Sequence, residues 1–262
     1  MKIGLRYGHT ILTNGNNTCA VGLVNEYTEV RRIGKHVKEM LESLGHTVID
    51  CTPPDYTCRN QGEELAYGVN KANKAGVDLF ISLHLNASNG EGDGVEVYYY
   101  SGDAEGKRLA QSVCDQIAKF GYDNRGARTK ALYEINNTHM RAILVESFFI
   151  DNKADVARYN NDPRKIAAAI VTGVTGKAVS GGSSTPQQPS YRINIGDFDS
   201  IEWTAAALTK VKEILPGYGV WTKCIEGGYH RILVGDFNNK QWADNTMEKL
   251  KTLGYGAWIQ TV

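Results

Sequence analysis

Three polar side chains lie at the ends of segments that the sequence predicts to be β-strands. His9 follows the first predicted strand, and His84 ends a largely apolar run that begins at Val77. Glu146 closes Ala142–Val145, which is as apolar as any strand that the chain contains. Because an unpaired buried carboxylate is costly, Glu146 requires either a partner or a function.

A fourth polar side chain, Glu26, is predicted to point inward from the start of a helix. At about 100° per residue it lies in the middle of the apolar stripe of the helix predicted over 26–44, whereas Glu29 falls about 60° away. Interaction of the acid with the helix dipole is the simpler explanation of Glu26. A carboxylate directed inward from a helix start can equally be a metal ligand.

These residue types suit metal-assisted hydrolysis. Two neutral imidazoles and one carboxylate form one of the ligand sets with which zinc keeps a fourth position open for water. A further carboxylate that does not bind the metal can accept a proton from that water. His9, Glu26, His84 and Glu146 provide these groups. Taken singly, each histidine can be a core or surface residue and each glutamate a salt-bridge partner, and only the topology predicts that the four meet.

Alternating strands and helices must position these side chains. Strands are predicted at 2–7, 46–50, 77–85, 94–100, 131–135 and 141–147, and helices at 26–44, 60–75, 104–120 and 162–177. This order predicts an α/β fold, a layered and mostly parallel sheet with flanking helices. Ligands bind such sheets at the carboxyl ends of the strands, where the polar residues lie.

Composition excludes several classes of protein. The 29 Lys and Arg balance the 29 Asp and Glu, which argues against a nucleic-acid partner. No apolar run approaches 18 residues, so no membrane span is expected. The opening residues lack the apolar stretch of a secretory signal peptide. Five cysteines without paired spacing indicate reduced thiols.

A segment rich in Gly, Ser and Pro, 180–190, predicts a linker between domains 1–179 and 191–262. The second domain contains an internal repeat, because Arg192–Phe198 recurs 39 residues later as Arg231–Phe237. Each half is predicted to form a strand, a helix and a strand. The two halves together predict a small α+β domain of order βαββαβ, with its helices on one face of the sheet.

Alternation along these strands predicts which side chains occupy the uncovered face. That face is expected to carry Arg192, Asn194, Arg231, Trp221 and Trp258. An indole covers the apolar side of a sugar ring while polar neighbours bind its hydroxyls, so these residues are candidates for glycan binding. If the register is shifted by one residue, both tryptophans are instead core residues.

Residues 1–177 resemble the zinc-dependent N-acetylmuramoyl-L-alanine amidases of the amidase type 3 family. The residues that carry the resemblance are Gly8-His9, Asn25-Glu26, Ser82–Ala87, Arg125-Gly126, Leu144–Phe149 and Asn152. The resemblance implies that His9, Glu26 and His84 bind one zinc ion and that Glu146 is the catalytic base. We also expect Asn86 to contact the substrate.

The implied reaction is hydrolysis of the amide between the lactyl group of N-acetylmuramic acid and L-alanine. The family has Gly before the Phe that follows its catalytic Glu, whereas this chain has Ser147 and Phe148. Residues 87–94 are too short and too rich in Gly to form the helix that blocks the site in some relatives. The site is therefore expected to be open.

The C-terminal domain, from Arg192, resembles the sporulation-related repeat (SPOR) family through INIGDF and ILVGDF. The resemblance implies binding to peptidoglycan glycan strands. Together these features predict a phage endolysin, made in the host cytoplasm without a signal peptide and acting on the wall after release. The alternatives are a non-enzymatic peptidoglycan-binding protein and a zinc peptidase that cuts within the stem peptide.

Overall fold

A computed structural model of the protein describes residues 1–160, 162–179, 191–215, 218–225, 227–237 and 239–261. The predicted linker, 180–190, lies outside the described residues. By its contacts the chain divides into two compact units, Met1–Gly182 and Ser183–Val262. None of the described helices is long and apolar enough to cross a membrane.

The N-terminal unit is built on six strands. They are β1 (Lys2–Tyr7), β2 (Thr47–Asp50), β3 (Leu79–Asn86), β4 (Val95–Tyr99), β5 (Asn124–Thr129) and β6 (Arg141–Phe149). Their order in the sheet is β2-β1-β3-β6-β4-β5. The first four strands of this order run parallel, β4 is antiparallel to β6, and β5 is parallel to β4. The predicted α/β fold with a mostly parallel sheet is confirmed.

Among the described residues, six helices flank this sheet. They are α1 (Glu26–Ser43), α2 (Gln61–Ala75), α3 (Ala104–Ala118), α4 (Tyr133–Asn136), α5 (Lys153–Tyr159) and α6 (Pro163–Thr175). α1, α3 and α6 pack together over a large core on one face of the sheet, with Ile3, Ile81 and Ile143 among its strand residues. A smaller core, which includes Phe80 and Leu144, lies on the opposite face beside α2 and α4.

The strand predicted over 131–135 is wrong, because Tyr133–Asn136 forms a helical turn instead. Glu134 and Ile135 are adjacent in sequence and both buried. A strand sends adjacent side chains to opposite faces, whereas one helical turn can direct both inward. The polar edge strand β5 and the short helix α5 were not predicted.

In its described residues the C-terminal unit has four strands and two helices. They are β7 (Tyr191–Phe198), α7 (Ile201–Ile214), β8 (Val220–Cys224), β9 (His230–Phe237), α8 (Lys240–Lys251) and β10 (Ala257–Thr261). The strands form an antiparallel sheet of order β10-β7-β9-β8. Both helices pack on one face, where Ile193, Ile195, Ile232 and Val234 are buried. The predicted βαββαβ order is confirmed.

Candidate active site

Three of the predicted site residues converge at one end of the N-terminal sheet. One ligand atom from each of His9, Glu26 and His84 lies within 4.8 Å of the other two. Oε1 of Glu26 is 2.9 Å from Nε2 of His9 and 3.1 Å from Nδ1 of His84. These residues come from the loop after β1, the start of α1 and the end of β3, so the fold joins groups that are far apart in sequence.

The backbone around the two histidines is tightly constrained. His9 has a φ of 65°, in the left-handed region that few non-glycine residues adopt. A Cβ atom at position 8 would lie 2.6 Å from Cε1 of His84, so only glycine lets the end of β1 approach this imidazole so closely. Strain of this kind is common at functional sites, where the surrounding structure maintains it.

Glu26 is fixed by backbone donors as well as by the histidines. Asn25 caps α1 by accepting a hydrogen bond from the N–H of Thr28. Oε1 of Glu26 accepts the N–H of Leu85 at 3.1 Å, and Oε2 accepts the N–H of Ala20 at 3.1 Å. Burial alone would raise the pKa of this carboxyl, but hydrogen bonds from His84 and His9 outweigh it and hold the pKa well below its ordinary value.

The donor set fits a zinc ion. Two imidazoles and one carboxylate are ligands that zinc binds in catalytic sites. Nε2 of His9 and Nδ1 of His84 both meet the Glu26 carboxylate, as expected where three ligands converge on one cation. Burial would lower the pKa of His84, but the Glu134 and Glu26 carboxylates raise it to about 10. Positive charge is therefore strongly favoured at this position.

Glu146 lies directly beside the cluster. It pairs with His84 on the neighbouring strand β3 and with Glu96 on the other neighbour, β4. Its Oε2 atom is buried without a hydrogen-bond partner among the described residues. Burial raises the pKa of Glu146 to about 8; His84 opposes the rise, and Glu26 and Glu96 add to it. A carboxyl group with this pKa can exchange a proton near neutral pH.

Asn86 and Glu96 form the edge of the site next to Glu146. Nδ2 of Asn86 donates to Oε1 of Glu96 at 2.9 Å, and Nε of Arg125 donates to Oε2 at 2.7 Å. Asn86 is partly exposed, whereas Glu96 is buried. Glu96 was not among the predicted site residues, and nothing in the sequence indicated that it holds Asn86. Glu96 lies opposite Glu146 because β4 pairs with β6, and the sequence does not show that pairing.

Charged residues beneath the histidines were also missed. Arg6 is 0% exposed and forms ion pairs with Glu64 and Glu134. Oε2 of Glu134 lies 3.6 Å from Nε2 of His84. Burial would raise the pKa of Glu134, but Arg6 and His84 lower it to about 2. The signal in the sequence was a charged residue, Arg6, within a strand that is otherwise largely apolar.

The mouth of the site carries no helix between β3 and β4. Residues 87–94 are all described and form no helical turn. Asp151 accepts hydrogen bonds from the N–H groups of Ser88 and Gly90, which fixes this short loop. The expectation that this segment forms no blocking helix is confirmed. The five cysteines are all free, as their spacing indicates.

The uncovered face of the C-terminal sheet carries the predicted tryptophans. Trp258 pairs with Asn194, Asn194 with Leu233, and Leu233 with Trp221, so one row crosses all four strands. Trp221 is 37% exposed and Trp258 is 39% exposed. The predicted register is therefore confirmed for these two residues, and the alternative that both are core residues is wrong.

Two arginines extend this row, one beside each tryptophan. The guanidinium of Arg192 lies 5.3 Å from the ring centre of Trp221, and that of Arg231 lies 4.6 Å from the ring centre of Trp258. Arg231 also binds Asp197 through two hydrogen bonds. These distances are within the range of cation–π contacts. The face thus presents two similar pairs of an indole and an arginine.

Other members of the two faces differ from the expected pattern. Asn194 is on the uncovered side but only 1% exposed, and its amide donates to Gln260. It therefore supports the row and offers little surface to a ligand. By strand alternation, the side chains of Thr222 and Cys224 belong to the face that the helices cover. Both are nevertheless exposed, because β8 is an edge strand.

Comparison with known proteins places this architecture in a family. The family model described as N-acetylmuramoyl-L-alanine amidase matches residues 3–176, which include all four residues of the proposed centre. The catalytic domain of the CD27L endolysin, which targets Clostridia difficile, has 38% sequence identity and a TM-score of 0.65. The alignment covers 69% of this chain and 99% of that domain.

Two curated relatives share the same region. An uncharacterized 38.4 kDa protein of Clostridium perfringens is 38% identical over 166 residues, 61% of this chain and 46% of that protein. The endolysin of Bacillus phage SPP1 is 34% identical over 146 residues, 53% of this chain and 52% of the endolysin. The chain thus spans about half the length of these relatives. With the family model covering most of its length, the chain belongs to the N-acetylmuramoyl-L-alanine amidase family.

Proposed function

We propose that the N-terminal unit is a zinc amidase that hydrolyses the amide bond between the lactyl group of N-acetylmuramic acid and L-alanine in peptidoglycan. The observation that carries this proposal is the convergence of His9, Glu26 and His84 beside Glu146, within a domain that matches the amidase family. The endolysin relatives are consistent with a peptidoglycan substrate.

The protein's own residues have separate tasks in this reaction. His9, Glu26 and His84 would hold zinc, which when bound acidifies water and polarises a carbonyl group. Glu146 accepts the proton of the attacking water and returns it to the nitrogen of the departing L-alanine. Its raised pKa suits both steps, because the group must bind a proton and then release it. Asn86, which donates a hydrogen bond to Glu96, would bind a polar group of the substrate at the edge of the site.

Identification of the amine freed from cell wall tests this proposal. Walls purified from Clostridium perfringens are digested, the new amino groups are labelled, and the labelled residue is identified after acid hydrolysis. We expect L-alanine as the labelled residue, with one zinc ion per chain. A different labelled residue would indicate a zinc peptidase. Walls that bind the protein but release no amine would indicate a non-enzymatic peptidoglycan-binding protein.

We further propose that the C-terminal unit is a SPOR-like module that binds peptidoglycan through the uncovered face of its sheet. Trp221 and Trp258 would cover sugar rings, with Arg192 and Arg231 beside them as hydrogen-bond donors. Asn194 acts from below, through Gln260. This module would keep the amidase on its insoluble substrate.

The biological role that we propose is that of a phage endolysin, which acts from the host cytoplasm after the membrane has been opened. The similarity to two endolysins supports this role. Expression in the cytoplasm of a Gram-positive host should leave cells intact until chloroform permeabilises the membrane, and rapid lysis should follow. Appearance of amidase in the medium of intact cells would instead indicate an exported host enzyme.

A further inference from the structure

Arg6 is a fully buried charge that the proposed reaction does not use. It lies on β1, where its Nη1 atom donates to Oε1 of Glu134 at 3.0 Å and its Nη2 atom to Oε1 of Glu64 at 2.6 Å. Both carboxylates are buried as well. Replacing buried ion pairs by apolar residues is often neutral or stabilising, so stability is a weak reason for such a cluster.

The second oxygen of each carboxylate leads to one of the two candidate ligand histidines. Oε2 of Glu64 accepts the hydroxyl of Thr18 at 2.8 Å, and the same hydroxyl oxygen is 3.0 Å from Nδ1 of His9. Oε2 of Glu134 is 3.6 Å from Nε2 of His84. One guanidinium therefore has two branches, and each branch ends at a different imidazole.

The branches meet the ring nitrogens that face away from Glu26. Glu26 approaches Nε2 of His9 and Nδ1 of His84, whereas the branches reach Nδ1 of His9 and Nε2 of His84. A neutral imidazole binds metal through one nitrogen and donates a hydrogen bond from the other, and the acceptor of that bond fixes the tautomer and the ring orientation. With its proton donated to Glu64, Thr18 presents a lone pair to His9 at hydrogen-bond distance. Glu134 faces His84 at 3.6 Å, an ion-pair distance at which the carboxylate attracts the ring N–H electrostatically.

The helix beside Arg6 is adapted to this arrangement. A Cβ atom at position 68, on α2, would lie 2.7 Å from Cδ of Arg6, so glycine there leaves room for the arginine stem. Ser82, on β3, donates a further hydrogen bond at 3.0 Å to the Glu134 oxygen that binds Arg6. The cluster is therefore packed into place rather than loosely solvated.

We propose that Arg6 is a positioning residue which, through Glu64 with Thr18 and through Glu134, holds both histidines in the orientation that binds metal. This inference rests on the proposed zinc site. Arg6 itself touches neither the metal position nor the substrate. Its guanidinium suits the task because its fork can bind two carboxylates at once, which a single ammonium group does less well.

The test measures zinc affinity by competition with a chromophoric chelator, together with thermal melting of the full chain. We expect Arg6→Met to weaken zinc binding about 10- to 100-fold, the effect typical of lost outer partners of metal ligands. Arg6→Lys should recover part of that loss. The matched control is Tyr159→Phe, which removes a buried hydrogen bond to Glu29 on the other face of the sheet. It should lower Tm without changing zinc affinity.

If Arg6→Met does not fold, the single-branch variants Thr18→Val and Glu134→Gln replace it, and each should weaken zinc binding roughly 10-fold. A folded Arg6→Met protein, or both single-branch variants, with the zinc affinity of the unaltered protein would overturn the positioning role. An unaltered protein that binds no zinc would contradict the proposed function itself, so the two failures are distinguishable.

Discussion

The two surfaces on which the proposed function depends are built in opposite ways. At the end of the N-terminal sheet, charged and polar side chains are withdrawn from water and converge on a volume a few ångströms across. On the C-terminal sheet, two partly exposed indoles lie on the two strands that flank the central pair. Chemistry on one bond benefits from preorganised groups in a site that excludes water, whereas retention on a polymer benefits from a broad accessible surface.

The same difference predicts how each region tolerates substitution. Each group of the first site has a buried charged neighbour, so removal of one side chain leaves another without its partner. Trp221 and Trp258 contact arginines that remain accessible to water. Removal of either tryptophan therefore leaves no buried charge without a partner. We therefore expect substitutions in the candidate active site to abolish function, and substitutions on the uncovered face of the C-terminal sheet to weaken binding by degrees.

The largest effect is expected from removal of a metal ligand. His84→Ala or His9→Ala should abolish both zinc binding and wall hydrolysis, because two remaining ligands bind zinc poorly. Metal content by atomic absorption and release of L-alanine are the measurements. His139→Ala, at an exposed histidine, is the control and should change neither. Full zinc occupancy in His84→Ala would contradict this assignment.

Glu146→Gln should separate binding of metal from turnover. The variant keeps the shape of the side chain but cannot accept a proton, and general-base catalysis contributes about 10²- to 10⁴-fold. Turnover should fall by at least about 10²-fold, while zinc content stays at one ion per chain. A rate of a tenth or more of the original would mean that Glu146 has a structural role.

Intermediate effects are expected on the open face of the second unit. Trp221→Ala and Trp258→Ala should each weaken sedimentation with purified wall, by about 30-fold if each is a hot spot of about 2 kcal/mol. Tm should change little, since both side chains are partly exposed. Trp203→Ala on α7 is the matched control, because this tryptophan is 70% exposed on a helix that packs against the opposite face. Binding lost only in proportion to unfolding would contradict a direct role.

The smallest effect should come from separating the two regions. Residues 1–179 and 191–262 are each expected to fold alone, because each contains its own buried core. Thermal melts of the two pieces should be cooperative and lie within a few degrees of the corresponding transitions of the whole chain. Failure of either piece to melt cooperatively would show that the units depend on each other.

The candidate centre was largely predictable because its signals are local. His84 and Glu146 follow apolar runs near the carboxyl ends of their strands, His9 follows the first strand, and Glu26 interrupts the apolar stripe of a helix. Parallel strands place their carboxyl ends at one edge, so the order of elements alone brings these groups together. The repeat of the C-terminal unit and strand alternation likewise predict the face that carries Trp221 and Trp258.

Elements with weak local patterns were not predictable in the same way. β5 is polar, and because it lies at the sheet edge it pairs with β4 alone. The segment around Glu134 contains residues that suit a strand, yet it forms a helical turn. That turn lets the adjacent side chains of Glu134 and Ile135 both be buried. Tertiary contacts outweigh propensities of a few tenths of a kcal/mol per residue, so such short segments follow their surroundings.

By itself the sequence determined the α/β class and the repeat of the second unit, and it indicated the four residues of the candidate centre, since periodicity and strand ends are properties of neighbouring residues. Only the tertiary structure decided what lies beneath that centre. Arg6 meets Glu64 and Glu134 across 58 and 128 residues of chain. No local pattern encodes those pairs, because a buried charge is stabilised by whichever partner the completed fold places beside it.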